Sequence, residues 1–331
     1  MATTDASTGE RLARALGAAR SRLAPETERD RERRRIVALC LPFLTLAGVA
    51  GLYPLWEMLR ISLSTSKYVT TFDPVGIVVA SVTQGEIVLT GVSTRTYELL
   101  LSGGTAGAVH EAAFNTLWFG AATTVASLAV AVPVAHALEK YDLPGERHVL
   151  TLLSFPISLP GIVAAFMIIV LFGNSGLLTK FGAVVTGRST TSLALSTSVV
   201  GLFLAYLYSM IPRSLLLLRG AYSELNTDAE EAARALGASP AKTFWYVTLP
   251  QIKPGLVGAA ILTFRTALAI FGTLVVLSQA LVQQPWTYQI NDVLSPEFDI
   301  QLASAMAVVW FAFVLGFTVL GLRYTSAEVG I

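Results

Sequence analysis

Long apolar runs recur along the chain, separated by shorter polar segments. A run of about 20 apolar residues matches the thickness of the hydrocarbon layer of a bilayer. A soluble fold of 331 residues could not bury all of these runs. The pattern therefore predicts an all-α, polytopic membrane protein with about six transmembrane helices, at residues 36–56, 113–135, 149–172, 193–218, 255–281 and 301–322.

Composition agrees with the membrane class, and charge adds an orientation. Charged residues make up 14% of the chain, whereas soluble domains contain roughly 25%. With the N-terminus inside, seventeen basic residues fall on the inner side, five of them between Arg213 and Lys253, and five fall outside. Since inner loops are enriched in Lys and Arg, both termini are predicted to be cytoplasmic and the protein to be a multi-pass protein of the cell membrane.

The spans divide the chain into segments. Residues 1–35 are predicted to be a charged cytoplasmic tail, followed by the first transmembrane helix at 36–56 and an extracytoplasmic loop at 57–112. Residues 110–323 form a core of five transmembrane helices, which contains a long inner loop at 219–254.

Two local patterns refine this division. The outer loop contains alternating β-branched segments, Ile77-Val78-Val79 and residues 86–90, which predict a small pair of strands. The third span carries Pro156 and Pro160, which lack a backbone N–H and therefore predict a kinked helix. Neighbouring helices must then satisfy the freed carbonyl groups.

Residues 226–250 of the inner loop predict two short helices. Thr227 with Glu230 three residues later matches a capping box at the start of the first helix, and Gly237 is expected to stop that helix in the left-handed conformation. Ser239 with Pro240 predicts the start of a second helix. Leu249-Pro250 is expected to end it.

The first of these helices has a narrow apolar stripe of small side chains, at Ala229, Ala232, Ala233 and Leu236. Such a face suits docking into a groove on another protein. It equally suits an ordinary loop helix that lies on the membrane surface, and spacing alone does not choose between them.

The same loop carries a longer signature. Glu231-Ala232-Ala233, three residues, Gly237, nine residues, Val247, one residue and Leu249-Pro250 resemble the "EAA" motif of permease subunits of binding-protein-dependent ABC importers. Asn115-Thr116-Leu117 resembles the start of that family's core, and Ser154 to Gly161 is similar to its "L-P-x-x-x-P-G" third helix. The resemblance covers about residues 110–323.

The resemblance implies a type I ABC importer permease fold and a set of partners. It implies a second permease subunit, the same or related, an extracytoplasmic solute-binding protein, and two ABC ATPase subunits that bind ATP and Mg. The positions that it implies for coupling to the ATPase are Glu231, Ala232, Ala233, Gly237, Leu249 and Pro250. No G-x-x-x-x-G-K-[ST] run occurs, so the chain is expected to bind no cofactor itself and not to be an enzyme.

Candidate residues for a translocation path are fewer. Arg265 is taken as the one strongly basic residue inside a span, and it lies about 15 Å beyond Gly255 by helix rise. It predicts either an anion-attracting group or a structural link, because an intramembrane charge faces a cavity or a partner. Pro156, Pro160 and Asn174 are added to it as path candidates.

Substrate is less determined. The turn from Gly173 to Leu177 resembles a "G-x-x-G-L" turn of permeases for ferric iron, polyamines, thiamine or oxyanions, so the solute is expected to be ferric iron, a polyamine, thiamine or a phosphonate. Oxyanion members often read "A-L-G-E-F-G" where this chain has Ile270 in place of the acid. That difference argues against the oxyanion subgroup.

Other classes fit the residues less well. An ion-coupled secondary transporter would need an acid or a broken-helix site midway through a span, and no acid lies inside the predicted spans. His110 and His136 form no metal-ligand cluster, so neither a metal site nor a catalytic site is expected. A net charge of +1 has an orientational origin, and no nucleic-acid partner is expected beside membrane lipid.

Overall fold

The computed structural model describes residues 28–64, 79–83, 86–90, 93–104, 106–141, 144–196, 198–277, 285–294 and 299–329. The predicted tail up to residue 27 and part of the predicted outer loop lie outside these residues. The chain divides into two units, residues 1–57 and residues 58–331, which are described separately below.

The first unit is helical over its described residues. Helix α1 (Glu28–Ala47) continues through a π-helical turn at Gly48–Leu52 into α2 (Tyr53–Ser62), whose later residues belong to the second unit. Its apolar side chains are exposed, for example Leu39 at 81%. Exposed apolar side chains over such a length are typical of a helix that faces lipid.

The second unit contains the remaining elements. In chain order they are β1 (Val79–Thr83), β2 (Glu86–Thr90), α3 (Arg95–Ser102), α4 (Ala106–Lys140), α5 (Glu146–Ser154), a 3₁₀ turn (Phe155–Ser158), α6 (Gly161–Phe172), α7 (Leu177–Thr186), α8 (Thr190–Leu193), α9 (Val199–Ser223), α10 (Thr227–Ala235), α11 (Pro240–Thr243), a π turn (Phe244–Thr248), α12 (Leu249–Ala269), α13 (Gly272–Leu277), α14 (Trp286–Leu294) and α15 (Ile300–Val329).

Among the described residues, six helical segments are long and apolar enough to cross a membrane, which confirms the predicted fold class. They are Glu32–Ser62, Ala106–Lys140, Gly161–Thr186, Val199–Ser223, Pro240–Ala269 and Ile300–Arg323. Strands β1 and β2 pair antiparallel, with Val79 opposite Thr90, so the strand pair expected from the β-branched segments is present. Ile77 and Val78 lie outside the described residues.

The third predicted span is broken rather than kinked. Helix α5 ends at Ser154, and α6 begins only at Gly161. Leu159 between them is extended, with ψ 134°, because the ring of Pro160 disfavours the helical conformation of the residue before it. The fifth predicted span also breaks, at Ile270, which is extended with ψ 123°.

Two of these breaks meet. The Thr273 hydroxyl donates to the carbonyl of Gly161, at 3.1 Å. A Cβ on Gly161 would lie 2.9 Å from that same hydroxyl, so the side-chain-free position permits the contact. The starts of α6 and α13 are thereby held together.

Three apolar clusters hold the second unit. The first joins α4, α6, α9, α12 and α13 around Tyr206 and Met210, and the rings of Phe119 and Tyr206 meet edge to face at 5.0 Å. The second joins α4, α9 and α12 around Leu218 and Ile252. The third packs α3, α4, α14 and α15 around Trp286.

Helices α9 and α12 approach each other very closely. A Cβ on Gly255 would lie only 2.2 Å from the Cβ of Ala221. Small residues at membrane helix interfaces allow such contact between backbones. Ser214 and Thr263 add a buried hydrogen bond between the same two helices, at 3.0 Å, which sets their relative register.

Candidate functional site

The segment 226–250, called the elbow from here on, begins at a cap that differs from the predicted one. The Asn226 side chain accepts from the backbone N–H of Asp228 at 2.9 Å, so Asn226 caps helix α10. The predicted capping box of Thr227 and Glu230 is wrong, because the Glu230 carboxylate is engaged elsewhere. Asn and Thr are both good caps, and the chain uses the earlier of the two.

Glu230 is the buried charge of the elbow, with 4% of its surface exposed. Its Oε2 lies 2.5 Å from the Nζ of Lys140, the last residue of α4, and its Oε1 accepts from the Thr248 hydroxyl. Burial alone would raise the pKa of Glu230, but the bonds from Lys140 and Thr248 and the charge of Arg234 outweigh burial, so the pKa lies below its ordinary value. The elbow is therefore tied to a membrane helix through an ionised carboxylate.

Gly237 ends α10 in the left-handed conformation, with φ 84°, as expected. The N–H of Gly237 donates to the carbonyl of Arg234, and the N–H of Ala238 donates to that of Ala233. This pair of bonds is the Schellman motif, which favours glycine at this position. A Cβ added at Gly237 would meet no atom within 4 Å, so glycine is favoured here by the backbone conformation and not by lack of space.

The second half of the elbow begins as expected and ends differently. Ser239 accepts from the N–H of Lys242 at 3.4 Å, with Pro240 in the first turn. Leu249-Pro250 does not end the helix, because the chain continues through a π turn into α12. The N–H of Leu249 bonds five residues back to Phe244, and this wider turn accommodates the ring of Pro250.

The outer surface of the elbow is open in this chain. Glu231, Ala232, Pro250 and Gly237 are exposed, whereas Ala233 is partly buried and Leu249 packs against the second apolar cluster. Large apolar side chains share that exposure: Leu236 is 90% exposed, Trp245 63% and Tyr246 79%. The elbow therefore exposes a carboxylate and three large apolar side chains.

A second ionic contact lies beside the elbow. Arg219 on α9 pairs with Glu139 on α4, and its Nη2 lies 3.4 Å from Glu146 on α5. Together with the pair of Lys140 and Glu230, it joins the C-terminal part of α4, the start of α5, the C-terminal part of α9 and the elbow.

One face of α9 lines a series of adjoining cavities, called the cleft from here on. Leu216 and Arg219 line a cavity of about 850 Å³ with Glu146. Leu216 and Arg213 line a second cavity, of about 340 Å³, and Arg213 with Ser209 lines a third, of about 150 Å³. Positions 209, 213, 216 and 219 recur at helical spacing, so a single face of α9 faces all three cavities.

Arg213 is the functional candidate that sequence reasoning missed. It was counted with the inner loop, yet it lies in the middle of α9, ten residues before Ser223. Its Nη1 donates to the carbonyl of Ser209 at 2.5 Å and to the Ser209 hydroxyl. The available signal was the predicted span 193–218 itself, which contains Arg213 and continues through the apolar run from Leu215 to Leu218.

The four predicted path residues are not brought together. Arg265 is exposed on α12 and lines the 340 Å³ cavity with Arg213. Pro160 caps α6 beside that region, whereas Pro156 lines a separate apolar groove with Pro212. Asn174 is an exposed residue of the turn between α6 and α7, and it lines none of the cavities described here.

The described residues contain no group of three or more His, Cys, Asp or Glu side chains that could hold a metal ion. Six helical segments long and apolar enough to cross a membrane make the described part of the chain a polytopic membrane protein rather than an isolated membrane anchor.

The family follows from the sequence. The profile of the binding-protein-dependent transport system inner membrane component family matches residues 123–326, and the chain belongs to this family. The matched region includes the elbow, α9 and α12.

Relatives and a solved structure agree with this assignment. The chain is 30% identical over 179 residues to the sulfate transport system permease protein CysW of Synechococcus elongatus, over 54% of this chain and 60% of that protein. It is 30% identical to the molybdenum transport system permease protein ModB of Mycobacterium tuberculosis, over 59% of this chain and 74% of that protein. The fold resembles a chain of a bacterial alginate ABC transporter, with a TM-score of 0.69, 12% identity, and coverage of 92% of this chain and 98% of that one.

Proposed function

We propose that the chain is the permease subunit of an ATP-driven importer and that the elbow docks on a separate ATPase subunit. One observation carries the proposal: Glu230 is buried and paired to α4, while its neighbour Glu231 is exposed, as are Leu236 and Gly237. The elbow is thus anchored to the membrane helices on one face and open on the other. This is the arrangement that a coupling element needs.

The proposed partners follow from the family. ATP and Mg would bind to two ABC ATPase subunits, a second permease subunit would complete the path, and an extracytoplasmic solute-binding protein would deliver the solute. The elbow would contact the ATPase through Glu231, Ala232, Ala233, Gly237 and the exposed Pro250, with Leu249 supporting it from within. This requires both termini to be cytoplasmic, which the distribution of Lys and Arg favours.

The proposed mechanism is alternating access. ATP binding would close the ATPase dimer and draw the two docked elbows together. Because the elbow is continuous with α12 and ionically tied to α4, its movement would be passed to both helices as rigid-body movement. The cleft beside α9 would then open to one side of the membrane at a time.

For the solute, we propose a small tetrahedral oxyanion such as sulfate or molybdate. The relatives are named for sulfate and molybdenum, and none of those described here is named for iron, polyamines, thiamine or phosphonates. Ile270 stands where oxyanion permeases often carry an acid, and we set that single departure against relatives that match 54% and 59% of the chain.

The coupling role is tested by reversing one charge. Glu231→Lys should lower ATP-dependent uptake of sulfate or molybdate into proteoliposomes by about tenfold or more, since a like charge at a docked surface costs several kcal/mol. Glu224→Lys is the matched control, because Glu224 is exposed at the end of α9, outside the elbow. Normal uptake and normal recovery of the ATPase with Glu231→Lys would rule out docking through this surface.

A further inference from the structure

We infer that Arg213 and Arg265 form an oxyanion-binding site within the membrane cleft. The inference deepens the proposed import function, on which its cargo rests, by assigning the residues that would recognise a tetrahedral anion along the path. Both arginines line the 340 Å³ cavity. This volume lies within the range of small-molecule sites, roughly 300–1,000 Å³.

The two arginines are held at the same level by the packing of their helices. The hydrogen bond between Ser214 and Thr263 joins α9 and α12 at 3.0 Å. Arg213 directly precedes Ser214, and Arg265 follows Thr263 by two residues. The register of the two helices therefore sets both charges at the wall of one cavity.

Neither charge is neutralised within the cavity. No carboxylate is among the described residues that line it, and the hydrogen bonds of Arg213 use only Nη1, toward Ser209. Within the described part of the chain, Arg265 makes no hydrogen bond or ion pair. Two uncompensated cations in a membrane cavity are costly, and an anion that binds between them relieves that cost.

The chemistry of the pair fits an oxyanion better than a halide or a carboxylic acid of extended shape. A guanidinium presents N–H groups in a planar fork that matches two oxygens of a tetrahedral anion. The Thr266 side chain lines both the 340 Å³ and the 150 Å³ cavities, so a hydroxyl lies beside the pair. The third cavity also includes Gly161 at the start of α6, where a helix N-terminus adds a partial positive charge.

A thiol-reactivity experiment tests the site without reference to the cargo. Thr266→Cys is made in the assembled transporter on a Cys40→Ser background, since Cys40 is the native cysteine. We compare the rates at which this cysteine reacts with two methanethiosulfonates, one that bears a sulfonate and one that bears a trimethylammonium. Each rate is divided by the rate of the same reagent with a free thiol in solution. The anionic reagent should react faster by about tenfold, and Arg265→Gln should abolish that preference.

Uptake then tests recognition. In the same transporter, Arg265→Gln and Arg213→Gln should each lower sulfate or molybdate uptake about tenfold, whereas Arg265→Lys should keep the reagent preference but lose most uptake, because the ammonium lacks the bidentate fork. Arg323→Gln, an exposed arginine at the inner end of α15, is the matched control and should change neither readout. If Arg213→Gln reduces the yield of the complex, the anion site is judged from the variants of the exposed Arg265 alone.

The outcomes separate the two proposals. Equal rates for the two reagents, or unchanged uptake with Arg265→Gln at normal complex yield, would overturn the anion site. If the reagent preference depends on Arg265 but the unmodified transporter imports neither sulfate nor molybdate, the anion site stands and the proposed cargo is wrong.

Discussion

The elbow and the cleft both contain charged side chains, but among the described residues a buried charge of the elbow is paired with an opposite charge, whereas two charges of the cleft are not. In the elbow, the buried Glu230 has Lys140 at 2.5 Å and a hydroxyl from Thr248. In the cleft, Arg213 and Arg265 share a cavity that no described carboxylate lines. A charge that is paired within the protein fixes two elements relative to each other, whereas a charge without a counter-charge can bind an incoming ion of opposite sign.

The same contrast exists between two neighbouring residues of the elbow. Glu230 and Glu231 have the same chemistry, yet α10 directs one toward Lys140 and leaves the other exposed. Substitution of the first should therefore change stability, and substitution of the second should change coupling. The predictions below test this difference, beginning with the largest effect.

Loss of Lys140 should have the largest effect on stability. Lys140→Met leaves the Glu230 carboxylate buried without its counter-charge, which should cost about 3–5 kcal/mol and lower the melting midpoint of the assembled transporter. Adding Glu230→Gln to Lys140→Met should restore most of that stability. If Glu231→Gln, which removes an exposed charge, destabilises the transporter as much as Lys140→Met does, the proposed difference between Glu230 and Glu231 is wrong.

The same ion pair should impose a pH dependence. Because the pKa of Glu230 is lowered in the folded chain, its contribution to stability is present above the ordinary carboxyl pKa and is lost as the pH falls through the lowered value. Amide hydrogen exchange in α10 should therefore remain slow, after correction for intrinsic rates, until the pH falls below the usual carboxyl range. In the double variant of Lys140 and Glu230, this acid-induced loss of protection should disappear.

A smaller effect is expected at Gly237. Gly237→Ala should cost about 1–2 kcal/mol, because the residue has φ 84° and a Cβ is disfavoured in that conformation even in open space. Gly220→Ala is the matched control: it lies inside α9, meets no atom within 4 Å, and should stabilise by about 0.5–1 kcal/mol. Melting midpoints that shift in the same direction for both variants would contradict the conformational explanation.

The smallest predicted effect distinguishes the observed cap from the expected one. Asn226→Ala removes the acceptor for the N–H of Asp228 and should cost about 1 kcal/mol. Thr227→Ala should remain within about 0.5 kcal/mol, as for most exposed positions. Thermal melting of the two variants side by side would decide whether a capping box exists after all.

Features set by local pattern could be predicted from the sequence. The six spans, the strand pair, the stop at Gly237 and the cap at Ser239 each depend on residues within one or two turns of each other. The class of protein is implied by the resemblance of the elbow residues to the "EAA" motif, and the family match supports it.

Features set by distant contacts could not be predicted. The partner of Glu230 is Lys140, 90 positions away in the sequence, and this contact removes Glu230 from the expected capping box. The break at Ile270 is not preceded by a proline that would predict it. Arg213 lies inside the predicted span 193–218 but is counted with the inner loop in the charge distribution, so its place in the membrane region is overlooked. Pairing of Arg213 with Arg265 in one cavity requires the register of α9 against α12, which no single segment encodes.

The close approach of Gly255 to Ala221 has a mechanical consequence. The continuous helical stretch from Pro240 to Ala269 has 30 residues, and Gly255 lies near its midpoint. Each half is then about 22 Å long, so a tilt of about 10° around this contact would displace both ends by about 4 Å in opposite directions. The contact at Gly255 can thus act as a pivot for the tilt of this helical stretch. A larger side chain at this position is expected to prevent the tilt while leaving the two halves of the helix unchanged.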